Sequence, residues 1–181
     1  MPEIETARLR LRPFVAADLD DLARLCADPE VMRYIGLEAG RTLTRAETQY
    51  VLDTIITFWR THGYGRWAVL LKTTGRLIGL CGLRQLDGEP ELMYAFEQAS
   101  WGQGLAAEAA RASLRYGFEE VGLERIVAVT RHANAASQRV LVKIGMRYEG
   151  EARPYGVETL GYALTRAEFA PDDSSYLLRR D

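Results

Sequence analysis

Apolar and polar residues alternate from Arg8 to Pro13 (R-L-R-L-R-P), the period-two mark of a half-buried strand. Leu19, Leu22, Ala23 and Cys26 then repeat at i, i+3, i+4 and i+7, one face of a helix, with Asp18, Asp20 and Asp21 in its first turn, where negative charge is favoured. Asp28-Pro29 closes this helix and predicts a short turn through Tyr34. A second helix is predicted from about Thr44 to Thr61. Thr44 and Glu47 form a capping box, Val51, Ile55, Phe58 and His62 make one stripe that Leu52, Ile56 and Trp59 widen, and Gly63 and Gly65 end the helix. Strands are expected at Trp67–Leu71 and Leu77–Leu83, joined by Thr73-Thr74-Gly75-Arg76, and at Glu91–Phe96 after an Asp87-Gly88 turn. A small-residue helix follows from about Gly104 to Val121, then a strand at Ile126–Thr130 and a helix at Ala135–Ile144 stopped by Gly145. Met146–Ala152 and Thr159–Leu164 close the pattern as a hairpin-like pair. The order is β-α-α-β-β-β-α-β-α-β-β. Residues 1–169 read as one domain, and Ala170–Asp181, with its proline, aspartates and serines, reads as a loose C-terminal tail.

The segment between the strand Leu92–Phe96 and the small-residue helix is Trp101-Gly102-Gln103-Gly104-Leu105-Ala106-Ala107. A glycine-rich turn that opens a helix is an anion site. The first-turn N–H groups lack intrahelical partners, the helix dipole adds about half a positive charge, and small residues allow close approach. No Lys-Ser/Thr pair follows the glycines, which excludes a mononucleotide P-loop. The pattern G-x-G-x-x-A does satisfy a dinucleotide fingerprint, but the acid in range, Glu124, precedes the next strand instead of ending it. The third candidate is the pyrophosphate of coenzyme A, and the flanking sequence favours it.

Composition narrows the field. A chain of 181 residues, 48% apolar and 27% charged, suits a soluble globule, and a net charge of −2 argues against nucleic acid and anionic membranes as partners. Cys26 and Cys81 are too few for a disulfide framework and fall on apolar faces, so free buried thiols are expected. No apolar run reaches the ~18 residues of a membrane span. With no apolar signal core at the N-terminus either, a cytoplasmic location is expected. His62 and His132 lack metal-site spacing, and no metal is expected.

The element order and four motifs together resemble the GNAT superfamily of acyl-CoA-dependent N-acetyltransferases, and within it the ribosomal-protein N-terminal acetyltransferase branch. The motifs are T-A-R-L-R-L-R-P at Thr6–Pro13; Tyr94 followed by W-G-Q-G-L-A at Trp101–Ala106 and then Glu108; N-A-A-S-Q-R-V-L-V-K-I-G-M at Asn134–Met146; and L-G-Y-A-L-T at Leu160–Thr165. The resemblance covers about residues 6–169. It implies an α/β fold of layered α+β type: a central mixed, mostly antiparallel sheet of about seven strands with one splayed parallel pair, flanked by about four helices. It also implies acetyl transfer from acetyl-CoA to a small-molecule or peptide amine, with a protein N-terminus among the candidates, by a monomer or homodimer. A non-catalytic acyl-CoA-binding regulator and a nucleotide-binding redox module are the rival readings.

The resemblance also assigns roles. Backbone N–H groups from Gly102 through Gln103, Gly104, Leu105, Ala106 and Ala107 would hold the pyrophosphate, with Trp101 as a packing residue. Tyr94 would present its backbone N–H to the thioester carbonyl, and Phe96 its main chain to the pantetheine amides. The helix position where many relatives carry a tyrosine to protonate the thiolate is Leu141 here, so Ser137, one turn earlier, is the candidate donor, against a plain surface hydroxyl. Asn134 is expected as helix N-cap, pantetheine contact, or both. Glu91 would bind the cationic amine or relay its proton; a solvated carboxylate after Pro90 is the equal alternative.

Overall fold

The computed structural model describes residues 1–180. Its centre is a single sheet of nine strands, β1 (Glu3–Glu5), β2 (Leu9–Pro13), β3 (Arg66–Leu71), β4 (Leu77–Leu86), β5 (Glu89–Phe96), β6 (Arg125–Thr130), β7 (Arg147–Ala152), β8 (Thr159–Thr165) and β9 (Leu177–Arg179). They lie in the order β7-β8-β6-β5-β4-β3-β2-β1-β9. Every neighbouring pair is antiparallel except β5 and β6. The helices are α1 (Leu19–Cys26), α2 (Pro29–Met32), α3 (Arg45–His62), α4 (Leu105–Arg115) and α5 (Ala135–Lys143). This is the expected architecture with two strands added at one edge.

Local signals explain most elements. In α3 the Glu47 N–H donates to Thr44 Oγ1 (3.3 Å) and the Thr44 N–H to Glu47 Oε2 (2.8 Å), closing the capping box, and Gly63 ends the helix at φ 72°. In α4, Ala107, Ala109, Ala110, Ala112 and Ser113 are buried, so this helix lies close on β4 and β5. It runs on to Val121 as wider, π-type turns. One aromatic cluster, Trp59, Trp67 and Tyr116, ties α3 to β3 and α4's continuation, with Trp67 centred 4.9 Å from Trp59 and 5.1 Å from Tyr116.

Two expectations change. The segment after Asp28 is not only a turn: Asp28 accepts from the Glu30 N–H (2.9 Å) and caps the one-turn helix α2, whose Val31 and Met32 are buried. The C-terminal segment is not a loose tail. Leu177–Arg179 forms β9 and pairs with β1, Arg179 donates to Glu5 (2.8 Å), Asp172 pairs with Arg111 (3.2 Å), and the Arg115 guanidinium lies 4.5 Å from the Tyr176 ring centroid. Its polar composition hid these partners, which all come from distant parts of the chain.

Gly82 in β4 is a point of obligatory close approach. Its φ is +150°, and a Cβ there would sit 2.2 Å from the Gly65 carbonyl oxygen. Gly82→Ala is expected to cost about 3 kcal/mol or more of unfolding free energy, read from urea titration.

Candidate active site

Among the described residues, β5 and β6 are the one parallel pair in the sheet and the pair with the fewest matched positions. β5 and β6 meet in register at a single position, Glu91 opposite Val127. Across the other side of β5, the Glu97 N–H donates to the Ile78 carbonyl (2.8 Å). Hydrogen-bonded and non-bonded pairs alternate in an antiparallel ladder. Counting back through the register turns the backbone groups of Glu91, Met93 and Ala95 toward β4, and those of Leu92, Tyr94 and Phe96 toward β6. Beyond Glu91, β6 no longer meets them. The Tyr94 N–H and C=O therefore face an open wedge between the strands.

A cavity of about 370 Å³ passes through this wedge and is lined from both faces of the sheet. On the face shared with α4 and α5 stand Tyr94, Ser137, Leu141, Asn134 and Thr130; on the other, Arg84, Glu91, Met93 and the segment Tyr34–Leu37. The Tyr94 hydroxyl lies 2.8 Å from Ser137 Oγ and 3.3 Å from the Ser137 carbonyl oxygen. Burial pushes the Tyr94 phenol well above its ordinary range, against the opposing pull of the Ser137 contact. Asn134 caps α5, accepting from the Ser137 N–H at 3.1 Å, and also lines the cavity. Leu141 is buried where a helix hydroxyl was sought, and the phenol of Tyr94 comes instead from the strand. Sequence reading assigned Tyr94 only a backbone role, because a contact 43 residues away leaves no local signal.

Glu91 is not the solvated carboxylate of the alternative reading. It is 2% exposed and ion-paired with the Nε of Arg84, directly opposite on β4. Thr130 is a second residue the sequence did not flag: its hydroxyl is buried, lines the cavity and has no hydrogen-bond partner among the described residues. His132 pairs with Glu151 (2.8 Å) at the surface, and His62 stacks on Phe58 at a centroid distance of 3.9 Å. Among the described residues no cluster of three His, Cys, Asp or Glu could hold a metal, and no helix is long and apolar enough to cross a membrane.

Beyond Phe96 the chain enters the glycine turn. Gly102 (φ +73°) and Gly104 (φ +76°) both adopt the left-handed conformation, and Gly104 is the N-cap of α4. No side chain caps this helix, unlike α3 and α5, so the first-turn N–H groups of Leu105, Ala106 and Ala107 are open. The side chains of Leu105 and Ala107 are buried, leaving only their backbones to face a ligand. The turn is braced from the connection between β1 and β2: Arg8 donates from Nη1 to the Gln103 carbonyl (2.9 Å) and from Nε to Glu108 Oε2 (2.7 Å), and Thr6 donates to Glu108 Oε1 (2.6 Å). Burial alone would raise the Glu108 carboxyl, but the bonds from Thr6 and Arg8 outweigh it and hold the group below its ordinary value. Trp101 donates its indole N–H to the Phe96 carbonyl (2.8 Å), a packing role that locks the start of the turn to β5.

Residues 8–147 match the acetyltransferase (GNAT) domain family. The chain belongs to the GNAT acetyltransferases. YoaA of Bacillus subtilis, an uncharacterized N-acetyltransferase, is 33% identical over 157 residues, 85% of this chain and 88% of its own. The crystal structure of a GNAT-family acetyltransferase from Bacillus anthracis superposes with a TM-score of 0.79 at 29% identity, covering 92% of this chain and 99% of that one. RimL, a ribosomal alpha-N-protein acetyltransferase in complex with coenzyme A, shares the fold with a TM-score of 0.76 at 16% identity, covering 88% and 95%. As a GNAT protein the chain is an acetyl-CoA-dependent acyltransferase. Its own residues fit that co-substrate: an uncapped helix start for phosphate, unpaired strand groups for amides, and the orphan Thr130 hydroxyl beside them.

Gly104→Glu places a carboxylate at this helix start. Inside the protein its Cβ would meet only Arg8 Nη2, at 3.7 Å, so the fold tolerates it at a conformational cost of about 1–2 kcal/mol. The variant is expected to remain folded by circular dichroism and to show no coenzyme A binding in calorimetry at concentrations that saturate the wild type.

Proposed function

We propose that the protein moves the acetyl group of acetyl-CoA to a primary amine by direct attack in a ternary complex. The observation that carries this reading is the wedge itself. An unpaired Tyr94 N–H, a Tyr94–Ser137 hydroxyl pair and a buried Glu91 all border one cavity. Attack on a thioester needs a donor for the developing oxyanion, a place for the amine and a proton for the departing thiolate. The Tyr94 backbone N–H serves the first. With Phe96 it also meets the pantetheine amides, which extend along β5 as an added strand while the pyrophosphate rests on Gly102–Ala107. Asn134 and Thr130 line the same arm.

The proton for sulfur comes from Ser137. Burial keeps the Tyr94 phenol protonated, and the 2.8 Å contact allows either hydroxyl to donate; with Tyr94 donating to Ser137 Oγ, the serine's own proton is free to point at the cavity. The coenzyme A thiol has an acidity not far from that of a cysteine, about 8.5, so a hydrogen bond to sulfur suffices for much of the effect. On the other face, Glu91 receives the ammonium through Oε1, the oxygen Arg84 leaves free, and takes up its proton. Direct transfer is favoured over an acyl-enzyme because both thiols are buried away from the cavity, and burial pushes that of Cys81 up to about 12.

Ser137→Ala is expected to lower kcat by about 10²-fold, the low end for general acid help, with little change in the acetyl-CoA KM. Tyr94→Phe should lower it less, because Ser137 keeps its proton and loses only its orientation. Single-turnover thiol release measures both, and an unchanged chemical step in both variants would make the hydroxyl pair structural. Glu91→Gln should lose more activity at about pH 6.5 than at about pH 9, since a high-pKa amine arrives neutral at high pH and needs no relay. Parallel pH–rate profiles for variant and wild type would remove Glu91 from the proton path.

A further inference from the structure

The acceptor side of the cavity holds more positive charge than its own residues neutralise. Arg84, Arg131 and Glu91 are the charged groups in its lining. Arg131 is engaged elsewhere, donating from Nη2 to the carbonyls of Gly36 (2.8 Å) and Leu37 (3.0 Å) and holding that segment over the opening. Arg84 meets Glu91 through Nε alone, and its Nη1 and Nη2 make no hydrogen bond among the described residues. The Arg84 side chain is 38% exposed, so this free edge of the guanidinium faces the cavity and not the core.

A second guanidinium stands behind it. Arg66 on β3 lies opposite Gly82, two residues from Arg84 on the same face of β4, and Gly82 puts no side chain between them. Arg66 makes no side-chain hydrogen bond or ion pair among the described residues. Burial, with the like charge of Arg84 beside it, pulls its guanidinium down to about 10, against the attraction of Glu91. Two arginines thus share one carboxylate, and the free edge of Arg84 has the fork geometry that matches a carboxylate. The remaining wall is largely apolar, with Ile35, Leu37, Leu86, Met93 and Val157.

We propose that the acceptor is a free amino acid with an apolar side chain, whose carboxylate docks on the free edge of Arg84, reinforced by Arg66, while its ammonium meets Glu91. The Arg84–Glu91 pair is then a template for a zwitterion: each of its charges faces the opposite charge of the acceptor, about one α-carbon apart. A peptide N-terminus, in which an amide replaces that carboxylate, would leave the two arginines with Glu91 as their one shared anion. This assignment rests on the acetyl-transfer reading above and narrows it to one class of amine.

The test compares leucine and phenylalanine with their amides and with the decarboxylated amines, using acetyl-CoA and thiol release, over a pH range that allows comparison at equal neutral-amine fraction. The free acids are expected to exceed both neutral series in kcat/KM by about 10- to 100-fold, with the acetyl-CoA KM unchanged. Arg84→Gln should bring the acid-to-amide ratio close to one. Arg66→Gln, which breaks no bond in the folded protein, should lower the ratio in part. Calorimetry with N-acetylphenylalanine and its amide reads the same preference without turnover. A ratio near one in the wild type, a ratio that survives both substitutions, or preferred acetylation of amides and peptides overturns the proposal. Arg84-dependent binding of N-acetylphenylalanine with no amine acetylated would sustain this anion site and refute acetyl transfer.

Discussion

The single point at which β5 meets β6 governs the rest of the molecule. A parallel pair joined at Glu91 and Val127 alone leaves Tyr94 with backbone groups that no strand satisfies, and an unpaired buried N–H or C=O costs about as much as a lost hydrogen bond. The two halves of the sheet are held apart because each carries its own helix: α4 packs on β4 and β5, and α5 on β6 and β7. Closing the wedge would drive these helices into one another. The hydroxyl contact between Tyr94 and Ser137 is the tie across the opening, running from the strand of one half to the helix of the other. A ligand that supplies amide groups along β5 relieves the cost that the fold itself cannot.

Under the proposed function, the wedge lets one short strand serve two ligands. Side chains alternate across a sheet, so Leu92 and Tyr94 face α4 and α5 while Glu91 and Met93 face the opposite side. At the α4 side the chemistry is that of an uncapped helix start and neutral hydroxyls, suited to phosphates and a thioester. At the other side it is guanidinium and carboxylate, suited to a charged acceptor. The cavity joins the two through the sheet, which under the proposed function lets an amine and an acyl group meet without either ligand crossing the other's path.

Not every charge contributes equally. Most ion pairs here are exposed, such as Arg153 with Glu158, and such pairs are worth about 0–1 kcal/mol each. Glu91 is different, because its side chain is 3% exposed and Arg84 is its one ion-pair partner among the described residues. Glu108 is intermediate: three donors from Thr6 and Arg8 fix it, and through it the connection between β1 and β2 holds the glycine turn in place. Both carboxylates are largely kept from water by the fold, and their partners come from other elements: Arg84 on β4 for Glu91, Thr6 and Arg8 for Glu108.

What the amino-acid order determined by itself is what short-range physics can encode. The Thr44–Glu47 cap, the Gly63 stop, the hairpin turns and the small residues after Gly104 each act within a few positions, and the structure forms the corresponding elements there. The glycine turn as an open helix start was readable for the same reason, since free N–H groups there follow from local backbone geometry. The resemblance of four motifs added the sheet and its splayed pair. Tertiary structure alone decided that the Glu91 carboxylate is buried against Arg84, that Tyr94 reaches Ser137 with its side chain, that Thr130 is left without a partner, and that Leu177–Arg179 joins β1 as a ninth strand. Each of these is a contact between residues far apart in sequence or across neighbouring strands. Burial and pairing of that kind are properties of the register and packing of the whole sheet, which no window of adjacent residues contains.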